Sequence, residues 1–108
     1  MACEYLKVLS ETGVALWFDL AQPFDEDLFL KTLESSPNFK AIGKKVIFQS
    51  QAPAEIIQEV TTSEGTFYIS KQFEGLETGV DIYSKNPLLM EKILGQLEAS
   101  GLYRARVT

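Results

Sequence analysis

Apolar side chains recur along the chain with two different periods, and the switch between them marks out the elements. Val14, Leu16, Phe18 and Leu20 alternate with Ala15, Trp17 and Asp19. Period two places alternate side chains on opposite faces of a strand, so the first set predicts a core face. Trp17 falls on the other face, which is either solvated or packed on a second surface. Tyr5 to Ser10 can pair with this strand through Glu11-Thr12-Gly13, where glycine supplies the left-handed conformation a three-residue hairpin loop requires. After Pro23 the acidic run Asp25-Glu26-Asp27 precedes Leu28, Phe29, Leu30 and Leu33. Negative charge in a first turn complements the helix macrodipole, so a helix is predicted here, ending before Pro37. Phe39 to Lys45 read as a connection, and Val46-Ile47-Phe48 as a short buried strand.

The second half repeats the order. Glu55 to Val60 fits an edge strand or two turns of helix after Pro53, and strand is favoured because Ser63-Glu64-Gly65 then turns the chain into a hairpin partner. In that partner, Thr66 to Phe73, one face carries Phe67, Ile69 and Phe73. Glu77-Thr78-Gly79 turns the chain again into Val80 to Ser84. Asn86 as N-cap, Pro87 at the first helical position and Gly101 just past the last turn delimit a second helix. Its apolar stripe is Met90, Ile93, Leu94 and Leu97. Leu102 to Val107 would return as a last strand.

Glu-Thr-Gly-Val occurs at Glu11 to Val14 and again at Glu77 to Val80, with the prolines Pro23 and Pro87 following at 12 and 10 residues. Hairpin loops converge on polar, polar, Gly by turn chemistry alone, so the shared offsets carry the duplication more than the tetrapeptide does. The pattern predicts one α+β domain over residues 1–108: a mostly antiparallel sheet of about six to seven strands with two helices packed on one face. It is composed of pseudo-duplicated ββαβ units, as an internal repeat over 4–50 and 66–108.

Composition narrows the function classes. Of 108 residues, 45% are apolar and 23% charged, the balance of a folded chain with a single core. The lone Cys3 closes no intrachain disulfide, and no signal peptide or spanning apolar run is evident, which makes a reducing cytoplasm the expected location. Zinc sites require several converging Cys, His or carboxylate ligands, and with no histidine and one cysteine only oxygen ligands remain, which excludes a structural zinc. Asp25, Glu26 and Asp27 are consecutive on a helix, point in different directions and lack the spacing of a calcium loop. Gly75, Gly79 and Gly43-Lys44-Lys45 do not reproduce a phosphate-binding loop. No metal, cofactor or catalytic set is therefore expected. A carboxylate enzyme would need Glu11 with Glu77, or Asp19 with Asp81, enclosed in a deep pocket.

Net charge is −5, which repels polyanions unless positive charge is gathered locally. Residues 37–50 carry Lys40, Lys44 and Lys45 without an acid, and the final stretch carries Lys85, Lys92, Arg104 and Arg106 against Glu91 and Glu98. Related halves would bring these stretches to one edge, with Lys40, Lys44, Lys45, Arg104 and Arg106 binding nucleic acid or a phosphorylated ligand. Lysines on connections also serve solubility and guard edge strands. The leading expectation is a non-enzymatic module that binds another protein or itself through an aromatic sheet face or an unpaired edge. Trp17, Tyr68 and Tyr83 are the contacts it names; no membrane partner is expected.

Overall fold

The computed structural model describes residues 3–10, 13–19, 24–35, 39–51, 54–72 and 79–106. In chain order the elements are β1 (Cys3–Ser10), β2 (Gly13–Asp19), α1 (Glu26–Glu34), β3 (Ala41–Gln51), β4 (Ala54–Thr62), β5 (Gly65–Gln72), β6 (Gly79–Tyr83), α2 (Pro87–Ser100) and β7 (Tyr103–Ala105). The strands form one sheet in the order β3-β4-β5-β6-β2-β1-β7. Every neighbouring pair is antiparallel except β1 with β7, which run parallel. The fold is thus α+β, a seven-stranded, mixed and mostly antiparallel sheet with two helices.

Local chemistry sets the helix ends where the pattern predicts them. Asp25 caps α1, its Oδ1 accepting from the Leu28 amide at 3.0 Å. Asn86 caps α2, accepting from Leu88 and Leu89, Pro87 begins the helix, and Gly101 ends it at φ +74°. Gly13 opens β2 at φ +123°, the positive value expected of the first hairpin. Gly79 is a correction: its φ is not positive, and it begins β6 instead of completing a left-handed turn. A β-carbon there would stand 2.5 Å from the Phe18 carbonyl oxygen and 2.6 Å from the Trp17 ring. Glycine is required at that position because Trp17 lies against the β6 backbone, a close approach no side chain permits.

The core lies on one face of the sheet. Tyr5, Leu16, Phe18, Val60, Phe67, Ile69 and Ile82 from the strands meet Phe29 and Leu33 of α1 and Leu89, Met90, Ile93 and Leu97 of α2. Phe29 stands edge-on to Phe18 and Phe67 at ring separations of 6.2 Å, so α1 covers the middle of that face. Gln96 of α2 donates to the Thr32 carbonyl and to Ser35 Oγ, tying the helices together. Among the described residues no helix is long and apolar enough to cross a membrane.

Three expectations change. Residues 41–45 belong to β3 and not to a connection, which makes β3 the longest strand. Val46, Ile47 and Phe48 are not buried but 53%, 47% and 40% exposed, because β3 is the sheet edge and its apolar run lies away from the core. Residues 55–60 do form a strand, yet one flanked on both sides, so β4 is not an edge. Strand, strand, helix, strand occurs in both halves, but the closing strands are placed differently: β7 pairs directly with β1, whereas β4 stands between β3 and β5.

Candidate functional site

Period two, applied across the observed registers, assembles the sheet face opposite the helices. One cross-strand row runs Leu6, Trp17, Asp81, Ser70, Ile57 and Phe48. The neighbouring row runs Tyr83, Tyr68, Glu59 and Lys45. No described helix or strand lies over these rows, and Trp17, Tyr68 and Tyr83 are half-buried by their neighbours within the sheet. The three residues singled out from sequence therefore share one face. Tyr68 and Tyr83 stack, centroids 5.4 Å apart and planes 25° from parallel. Burial raises the Tyr83 pKa, and the charges of Asp81 and Glu55 raise it further, with a smaller contribution from Tyr68. The Tyr83 hydroxyl thus stays a neutral donor and acceptor beside two acids, on an aromatic surface. Trp17 leans toward Gly79, so it forms a second aromatic site on the same face instead of joining the tyrosine stack.

Sequence reasoning missed the rest of this surface. Leu6, Ile57 and Phe48 belong to it through pairing alone. Phe48 reaches the open face because Ile47 is an extra residue in β3: Val46 pairs with Gln58 and Phe48 with Ile57, so the alternation of faces shifts by one at the bulge. An inserted residue of this kind leaves no signature in an apolar run.

The basic residues are not brought to one edge, contrary to expectation. Lys40 precedes β3, which holds Lys44 and Lys45, while Arg104 lies in β7 and Arg106 directly follows it. These are opposite edges of a seven-stranded sheet, roughly 29 Å apart at standard strand spacing. Four of the five are also engaged. Lys44 donates to Glu26 Oε2, Lys45 lies 3.7 Å from Glu59, Arg104 3.1 Å from Glu4, and Arg106 3.0 Å from Asp19. Pseudo-twofold reasoning failed here because β4 is interposed on one side only.

Glu26 was not anticipated as a hub. Half-buried at the start of α1, it also receives Lys71 of β5 at 2.8 Å, so one carboxylate joins the helix to β3 and β5. Burial raises its pKa, and the hydrogen bonds and charges of Lys44 and Lys71 outweigh that, leaving it lowered overall. Cys3 is half-buried, and burial, Asp19 and Glu4 all raise its pKa, which disfavours the reactive thiolate.

Of the carboxylates considered for catalysis, Glu11 and Glu77 lie outside the described residues. A cavity of about 220 Å³ at the end of β2 is lined by Phe18, Asp19, Phe24, Lys71, Gln72, Gly79 and Val80, and thus holds Asp19 but not Asp81. Asp19 is ion-paired with Arg106, and Lys71 with Glu26. No family model, curated protein or solved structure matches the chain significantly.

Proposed function

We propose that the protein is a small non-enzymatic interaction module, contacting another protein or a second copy of itself through the open sheet face and the β3 edge. Its support is the gathering of Trp17, Tyr68 and Tyr83 on one uncovered face, at partial burial and beside Ile57 and Phe48. Tyr and Trp supply large contact area with few torsions to freeze, and interfaces are enriched in them. An anion-binding edge has less support, because its five basic residues divide between two edges and four hold acids of their own. The test is association measured by sedimentation for Tyr68→Ala, Tyr83→Ala and Phe48→Ala. Each is expected to weaken association at least tenfold with the melting transition retained. Unchanged association in all three would overturn the reading.

We infer also that the halves are pseudo-duplicated. The support is that Leu16 and Ile82, separated by the same 66 residues as the two Glu-Thr-Gly-Val copies, are direct partners across the central β2–β6 pair. A local twofold axis passing through that pair would make these two residues equivalent.

A further inference from the structure

We infer that β3 pairs with β3 of a second copy of the chain, antiparallel and in one register, so that two sheets continue into one. The inference rests on the interaction-module reading and names its partner. Edge strands are ordinarily guarded by lysines and bulges, and β3 has both. Neither guard closes the edge here. Lys44 is held by Glu26, and Lys45, 71% exposed, stands 3.7 Å from Glu59 on the open face, while Val46, Ile47 and Phe48 stay exposed on the edge.

The bulge selects the occupant. From the β4 pairings, Gly43, Lys45, Phe48 and Ser50 point to the open face, and Lys44, Val46, Gln49 and Gln51 to the helix face, with Ile47 inserted between the sets. A regular foreign strand meets this inserted residue as β4 does, two residues against one. A second β3 carries the same insertion. When the twofold axis passes between Val46 and Ile47, the ladder runs one to one through the bulge: Gly43 faces Ser50 of the second copy, Lys44 faces Gln49, Lys45 faces Phe48, and Val46 faces Ile47. Gly43 and Lys45 then meet open-face residues, and Lys44 meets a helix-face residue. Charge favours the same arrangement. Both lysines lie in the first half of β3 and the second half, Phe48 to Gln51, is uncharged, so antiparallel pairing separates the lysines whereas parallel pairing in register would stack Lys44 on Lys44 and Lys45 on Lys45.

The register can be read by disulfide formation in a Cys3→Ser background, mixing Gly43→Cys and Ser50→Cys chains carrying different tags, since an added β-carbon at Gly43 meets nothing within 4 Å. Directly opposed residues are about 5 Å apart at Cα, within disulfide reach, whereas like positions on the two copies are offset by about 23 Å along the strand. The mixed disulfide is expected at least tenfold above either like-with-like product. Equal yields of all three, or no mixed product, would overturn the inference. Ile47→Lys, on an exposed side chain, is expected to abolish the dimer by sedimentation with the melting temperature unchanged. A dimer that survives Ile47→Lys but is lost in Tyr68→Ala would overturn edge pairing while leaving the interaction-module reading in place.

Discussion

The two faces of the sheet are made by alternate residues of the same strands, and both are aromatic, yet they are finished differently. On the covered face Tyr5, Phe18, Phe29 and Phe67 are sealed from solvent, and the charges at its border, Glu26 with Lys44 and Lys71, are paired among themselves. On the open face Trp17, Tyr68 and Tyr83 remain partly exposed and have acids beside them. Residue type is thus a poor guide to burial in this protein: an aromatic ring is sealed or partly exposed according to whether a helix lies above it. The covered face carries the sealed core, and under the proposed function the open face is the contact surface, so substitutions on the two should separate folding from association.

The largest separation is expected from Phe29→Ala, which empties the centre of the ring cluster. Truncating a sealed phenylalanine costs about 4 kcal/mol, read as a collapse in chemical-denaturation midpoint; a loss below about 1 kcal/mol would mean that α1 does not seal this face. Gly79→Ala comes next at about 3 kcal/mol, since the new methyl meets backbone and the Trp17 ring. By contrast Gly95→Ala, in α2 with nothing near the added carbon, is expected to stabilise by about 0.5–1 kcal/mol. Equal effects at the two glycines would contradict the close approach at Gly79.

Glu26→Gln sharpens the comparison at the border of the core. Its expected cost is about 2 kcal/mol near neutral pH, because two lysines lose a charged acceptor. The pH dependence has a definite sign. The folded carboxyl has a lowered pKa, so its contribution is present above the ordinary carboxylate range and fades as pH falls through the lower folded value. The gap between wild type and Glu26→Gln in denaturation titrations should therefore close on acidification; a constant gap would assign the effect to packing. The smallest effect is expected at Tyr5. Its ring is sealed but its hydroxyl has no hydrogen-bond partner among the described residues, so Tyr5→Phe should leave stability within about 1 kcal/mol or raise it.

What the sequence made legible follows from how local each determinant is. Helix ends are written in a few neighbouring residues, so the acidic run Asp25-Glu26-Asp27 announced α1, and Asn86, Pro87 and Gly101 announced α2, while the capping role of Asp25 emerged only from the structure. Alternation announced the faces of β2 and β5, and with them Trp17 and Tyr68 as residues off the core. Position within the sheet is not local. Val46, Ile47 and Phe48 look like any buried apolar run, and only their place on the outermost strand makes them surface. The edges assigned to the basic residues failed for the same reason, since strand order decides which edge each reaches. Gly79 misled in a third way: glycine signals either positive φ or close approach, and the tetrapeptide pattern suggested the wrong one.

The central claim is that the open face and the β3 edge are contact surfaces. Sedimentation of the wild-type chain across a wide concentration range tests it most directly. The account predicts a mass that rises reversibly from that of one 12.1 kDa chain toward that of two. A single-chain mass at every concentration, with no protein partner bound, would contradict it.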